Sequence, residues 1–322
     1  MMTFPCIIPC VQEDYLRMHD RFIRLFAHLD ISELIFIGPE NLKAVVEKDI
    51  FEGIFGDNKV SFLDEKELVV LGDIRPVYDE IRLKCTQAKP SSVNWYYQQF
   101  LKMAYARICP SEYYLCWDSD TVPLRDISMF DGTGKPYLDV KKEFNDSYFL
   151  TIDKLLGNGK IIEKSFISEH MLFKKEYMLE LISFIEGRDI EGRSFGEKIL
   201  NAVGSDNLNT GFSEFETYGT WIGLKHPSAY TLRNWFSFRN ANFFVDIADL
   251  NEEDIAWLSK DYDAASFEKY QTTVEELTEL FRMPRYREKL SPRQFYTSVL
   301  ESGIMGDYVD GAISVDGKLA PV

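Results

Sequence analysis

Apolar residues come along this chain in short runs separated by longer amphipathic stretches. Phe4-Pro5-Cys6-Ile7-Ile8-Pro9-Cys10-Val11 reads as a buried strand. From Asp14 to Leu29 the apolar positions Leu16, Phe22, Ile23, Phe26 and Leu29 fall at helical spacing. Leu34 to Ile37 is a second strand, closed by the turn signal Gly38-Pro39. Leu42 to Glu47 predicts a helix and Val60 to Leu63 a third strand. Strand and helix in alternation predict a parallel sheet.

Trp95, Tyr96, Phe100, Met103, Ala104 and Ile108 share much of one face of a helix that Pro110 ends. Tyr113 to Trp117 then predicts a strand that delivers Asp118-Ser119-Asp120 at its C-terminal end, where open α/β sheets bind ligands. Farther on, Phe166 to Phe173 reads as a bent strand, and Lys174 to Glu186 and Phe195 to Val203 as helices. Phe243 to Val245 reads as the last strand of the main domain. Glu252 to Leu258 and Val274 to Arg282 read as helices, and a Gly- and Asp-rich tail begins at Gly303. The expected organisation is an α/β domain over 1–245 with a mainly helical extension over 246–322.

With 322 residues and 45% hydrophobic content the chain can bury a large core. Lys plus Arg number 36 against 52 Asp plus Glu, a formal net charge of −16. That balance disfavours nucleic acid, while a divalent cation would still let the chain hold a nucleotide. The cysteines, Cys6, Cys10, Cys85, Cys109 and Cys116, are odd in number and form no C-x-x-C pair. No apolar stretch approaches ~20 residues, and the N-terminus lacks a leader pattern. A cytoplasmic protein is expected, with peripheral contact at the inner face of the membrane as an option.

Asp118 and Asp120 lie two residues apart, between two apolar runs. Carboxylates so spaced at a strand end can converge on a hard cation, Mn²⁺ or Mg²⁺. An ordinary acidic loop has the same D-x-D spelling. Ser213-Glu214-Phe215-Glu216 sets two carboxylates among Phe212, Phe215, Tyr218 and Trp221. An apolar setting raises a carboxylate pKa and makes it a better proton acceptor, so Glu216 and Glu214 are candidate catalytic groups. Ser213 followed by Glu216 also spells a capping box. His170 is a candidate for bonding a sugar hydroxyl, or a satisfied core histidine. His19 and His28 read as structural or exposed.

Three segments surround the triplet in order. Trp95-Tyr96-Tyr97-Gln98-Gln99-Phe100-Leu101-Lys102 precedes it. Phe166-Ile167-Ser168-Glu169-His170-Met171-Leu172-Phe173 and Phe212-Ser213-Glu214-Phe215-Glu216-Thr217-Tyr218-Gly219 follow it. With Asp118-Ser119-Asp120-Thr121-Val122-Pro123-Leu124, this set resembles a family of bacterial glycosyltransferases described as a domain of unknown function. The triplet itself is similar to the nucleotide-sugar and metal motif of GT-A glycosyltransferases. The resemblance implies a GT-A mixed sheet flanked by helices. It implies transfer from a nucleotide-diphosphate sugar to a carbohydrate or lipid-linked acceptor, in surface polysaccharide synthesis. It further implies His226 as a third metal ligand beside Asp118 and Asp120, and Lys225 on the diphosphate. Asp14, Gln98 and Lys102 are expected toward the donor, with Arg75 and Arg82 as further cationic candidates. Arg282, Arg285, Arg287, Lys289 and Arg293 form a basic cluster that would either touch an anionic membrane or pair with the acidic body. A sugar nucleotidyltransferase and a non-catalytic carbohydrate-binding protein are the rival readings. The first is disfavoured because Val11 to Tyr15 contains no Gly-rich loop.

Overall fold

Every residue of the first strand is apolar, and the computed structural model buries all six positions from Phe4 to Pro9. A parallel strand covered on both faces has no polar side to show. The structure describes residues 2–85, 88–142 and 145–306. In chain order their strands are β1 (Phe4–Pro9), β2 (Ile31–Gly38), β3 (Val60–Asp64), β4 (Tyr113–Trp117), β5 (Thr121–Pro123), β6 (Tyr137–Val140), β7 (His170–Lys174), β8 (Thr231–Asn234), β9 (Ser237–Phe238) and β10 (Ala264–Ser266). The expected tail lies, from residue 307 on, outside the described residues.

The chain divides into two compact units, and the division differs from the expected break after residue 245. The first unit takes Met1–Gln12, Asp30–Asp118 and Met129–Arg233; the second takes Glu13–Leu29, Ser119–Ser128 and Asn234–Val322.

The first unit holds a five-stranded sheet of order β3-β2-β1-β4-β7. Strands β1 to β4 run parallel, and β7 pairs antiparallel with β4, Trp117 opposite His170. The result is the mixed α/β sheet flanked by helices that the strand–helix alternation predicts. Helix Val93–Ala104 buries Tyr96, Phe100 and Met103 against Tyr114, Cys116 and Phe173 of the sheet side of the core. Helix Glu214–Lys225 starts where Ser213 Oγ accepts the Glu216 N–H. It lies so close to the Phe166 segment that a Cβ on Gly219 would overlap the Phe166 ring.

The second unit holds a three-stranded sheet of order β5-β10-β9. Strand β10 is antiparallel to β5 and parallel to β9. Its core is aromatic: Phe238, Phe244, Trp257, Phe281, Phe295 and Tyr296 meet in tilted and edge-to-face pairs. Phe243 and Phe244, expected in a strand, lie in the short helix Ala241–Phe244. A three-residue apolar run has no readable period, and the short helix buries both rings. Part of the basic cluster pairs with acidic residues of the same unit. Arg282 and Arg287 both reach the Asp254 carboxylate, which is 1% exposed, and the Arg293 N–H donates to Asp261.

Candidate functional site

Strand β4 ends at Trp117, and the next residue is Asp118. Its N–H donates to the Glu169 carbonyl at 2.9 Å, so the pairing with the neighbouring chain continues one step past the strand. The side chain meets Lys102 from helix Val93–Ala104. Lys102 Nζ stands 2.7 Å from Asp118 Oδ1 and 2.8 Å from Glu214 Oε1. It also lies 4.4 Å from the centre of the Phe215 ring. Lys102 and Glu214 are buried, at 7% and 3% exposure. Asp118 keeps 32% of its side chain exposed.

The electrostatics follow from that arrangement. Burial disfavours the ammonium of Lys102, but the carboxylates of Asp118 and Glu214 outweigh it and hold the pKa above the ordinary lysine value. Burial pushes Glu214 up; Lys102 opposes this and Asp118 adds to it. A protonated lysine thus joins one half-exposed carboxylate to one buried carboxyl of raised pKa. Gln99, one turn before Lys102, accepts the Glu214 N–H through its Oε1 at 3.0 Å. The sequence reading points Gln98, with Lys102, toward the donor. Gln98 is half-buried, and the residue that holds Glu214 is Gln99. Two adjacent glutamines differ by ~100° around a helix, which composition alone does not resolve.

Glu169, whose carbonyl takes the Asp118 N–H, is the non-glycine residue with positive φ among the described residues, at 56°. Its buried carboxylate pairs with Lys141. This turn stops β7 at His170, so the strand expected from Phe166 begins four residues later.

His170 is a satisfied core histidine, which corrects its expected sugar contact. It is 1% exposed, with Nδ1 2.7 Å from the Ser168 carbonyl and Nε2 2.9 Å from Asp139. Arg233 binds the same carboxylate through Nε and Nη2, at 2.6 and 2.7 Å. Burial disfavours the charge on Asp139, but Arg233 and His170 hold its pKa below the ordinary value. Neither Asp139 nor Arg233 stood out in the sequence, because the residues that meet there are up to 94 positions apart.

Glu216 also departs from its expected role. It is 1% exposed, and its Oε2 accepts from Ser165 Oγ at 2.5 Å and from the Phe166 N–H at 2.9 Å. Its backbone N–H is capped by Ser213, but its side chain does not return to complete a capping box. The carboxylate anchors the Phe166 segment against the helix.

Lys225 and His226 close the same helix at its other end, Lys225 lying 11 residues beyond Glu214. At ~1.5 Å per residue that is about 17 Å. His226 stacks on Tyr177 at 3.9 Å and meets Glu180 at 2.5 Å. Lys225 lies over Trp221 and Phe184. The structure therefore does not bring His226 or Lys225 to Asp118. Among the described residues, no group of three or more His, Cys, Asp or Glu is placed to hold a metal ion.

The chain leaves the first unit after Asp118 and enters the second at Ser119. In the second unit the Asp120 carbonyl accepts the Phe267 N–H at 2.8 Å. Its Oδ1 lies 3.3 Å from Thr121 Oγ1, which meets Ser266 Oγ at 2.8 Å. Asp14 pairs with Lys269 at 2.5 Å. Asp118 is a hard oxygen donor with 32% of its side chain exposed, a chemistry that suits Mg²⁺ or Mn²⁺.

A family model described as "Family of unknown function (DUF6492)" matches residues 13–282. No curated protein matches the chain. Among solved structures, mouse xyloside xylosyltransferase 1 is similar at 15% identity and a TM-score of 0.42, over 74% of this chain and 87% of that one. The glycosyltransferase GlyE of Streptococcus pneumoniae TIGR4 is similar at 11% identity and 0.39, over 94% and 64%. The galactosyltransferase LgtC, solved with donor and acceptor sugar analogs, is similar at 12% and 0.40, over 89% and 100%.

Proposed function

We propose that this chain, which belongs to the DUF6492 family, is a glycosyltransferase that moves a sugar from a nucleotide diphosphate to a glycan or lipid-linked acceptor. The observation that carries the reading is Lys102 buried between Asp118 and Glu214 at the C-terminal end of β4. Sheets of this kind offer ligands that end of their strands. A carboxylate, a fixed cation and a second carboxyl of raised pKa gathered there are an expensive arrangement to bury unless it acts on a substrate.

In the reaction the bond from the anomeric carbon to the diphosphate breaks. The acceptor oxygen takes that carbon and gives up its proton. Positive charge grows on the sugar and negative charge on the leaving diphosphate. A divalent ion with Asp118 among its ligands would supply charge compensation to the diphosphate when bound. Lys102 holds the Asp118 carboxylate in a fixed direction. Glu214, lifted by burial, is the carboxyl suited to face the developing sugar cation or to accept the acceptor proton. Glu216, spent on Ser165 and Phe166, is left to architecture.

A thermal-shift screen of nucleotide sugars with and without Mn²⁺ tests the reading. One nucleotide sugar should raise Tm in a Mn²⁺-dependent way, since a ligand at 100 times its Kd adds about 2.7 kcal/mol. The same donor should release nucleoside diphosphate when an acceptor is added. If no nucleotide sugar shifts Tm and none is turned over, the proposal fails.

A further inference from the structure

Arg17 sits in helix Gln12–Met18 of the second unit. Its Nε and Nη2 are both shielded from solvent, and neither has a hydrogen-bond partner. These two nitrogens form one edge of the guanidinium, with parallel N–H groups suited to a pair of oxygens on one anion. Other arginines of this chain show what that edge does when it is satisfied. Arg233 spans both oxygens of Asp139 with the same two nitrogens, and Arg125 sets them on Asp263.

The carboxylates nearest to Arg17 along the helix are otherwise engaged. Asp14, three residues earlier, is 2.5 Å from Lys269. Glu13, four earlier, faces the same lysine and is 85% exposed. Asp20, three later, lies beside His19 and is 72% exposed. Arg21, one turn on, is used on the carbonyls of Ile247 and Leu250. A guanidinium cannot shed its charge, so a shielded fork without an acceptor is costly in a protein with no ligand for it.

We infer that Arg17 is the clamp of a phosphate-binding site in the second unit, taking two oxygens of one phosphoryl group through Nε and Nη2. Phosphate meets the fork bidentately, as Asp139 meets Arg233. The phosphoryl group belongs either to the diphosphate of a nucleotide or to a separate phosphorylated ligand, and the test separates the two. The inference does not depend on glycosyl transfer.

Thermal unfolding of the full chain is followed for wild type, Arg17→Lys and Arg17→Met, in inorganic phosphate, acetate and UDP. Phosphate should raise the wild-type Tm saturably and at lower concentration than acetate, whose carboxylate fits the same fork with less charge. Arg17→Lys keeps the charge but loses the fork, and should need at least about ten-fold more phosphate for the same shift. Arg17→Met should lose the shift while its unliganded Tm stays equal or rises, because an unpaired buried charge has been removed. UDP protection that falls with the phosphate effect assigns the site to a nucleotide diphosphate. UDP protection that survives Arg17→Met assigns it to another phosphorylated ligand. Equal phosphate shifts in wild type and both variants overturn the inference, as does a wild type that responds to neither phosphate nor UDP. Should Arg17→Met not fold, the comparison of wild type with Arg17→Lys decides alone. Phosphate binding without any nucleotide-sugar turnover would sink the transferase reading and leave this one standing.

Discussion

Two carboxylates of one helix, Glu214 and Glu216, have been given opposite work by a rotation of about 200° around the helix axis. Glu214 faces Lys102, and Glu216 faces Ser165 and the Phe166 backbone. Glu216→Gln should therefore lower stability by about 1.5–3 kcal/mol, the worth of hydrogen bonds to a charged group, with turnover per folded molecule retained. Glu214→Gln should lose about 10²–10⁴-fold in turnover while donor affinity stays. Denaturant midpoints and nucleoside diphosphate release separate the two, and the reverse assignment would overturn both. Asp139 adds a pH test. Its pKa is lowered on folding, so its contribution is present above the unfolded value of about 3.9 and is lost as pH falls through the lower folded value. Asp139→Asn should cost about 3–5 kcal/mol near neutrality by removing the buried charge that Arg233 binds through two nitrogens, and the gap from wild type should narrow at pH 3. A gap that is the same at both pH values would mean that the carboxylate charge is not what Arg233 uses.

At the scale of elements, the packing of helix Glu214–Lys225 against the Phe166 segment depends on a missing side chain. Gly219→Ala would drive a methyl into the Phe166 ring and should destabilise by about 1–3 kcal/mol. Combining it with Phe166→Leu should recover part of the loss. Strictly additive losses would mean that the ring does not set the distance. The parallel strands and helix Val93–Ala104 were legible because each is long enough to show its period or its unbroken apolar run. The triplet Asp118-Ser119-Asp120 was legible because the apolar strand before it fixes where it emerges. His226 was misplaced because its role came from resemblance, and chain order does not say that the two ends of a 12-residue helix lie about 17 Å apart. Lys269 and Arg233 were missed since each acquires its partner only through tertiary pairing. The left-handed turn at Glu169 gave no signal, because neither Gly nor Asn marks it.

At the scale of the whole molecule, the sequence suggested a main domain closed at residue 245 with an appendage after it. The sheet of the second unit runs across that boundary. Strand β10, Ala264–Ser266, is its middle strand, between β5 and β9. Its three residues pair with Thr121, Val122 and Pro123, immediately after the acidic triplet. All three residues of β5 are buried. A chain ended at Val245 would strip β5 of its ladder with β10 and uncover Phe238 and Phe244, which pack on Tyr262, Phe281, Phe295 and Tyr296. Buried strand groups stripped of their ladder, beside exposed aromatic rings, favour aggregation. The fragment 1–245 should accordingly be insoluble, or soluble only as a species that binds ANS strongly, with no cooperative thermal transition at the full-length Tm. The comparison is made by expressing both lengths side by side and recording solubility, ANS fluorescence and melting curves. A soluble fragment that melts cooperatively near the full-length temperature would show that residues 246–322 are an appendage after all, and that β5 is held by something other than β10.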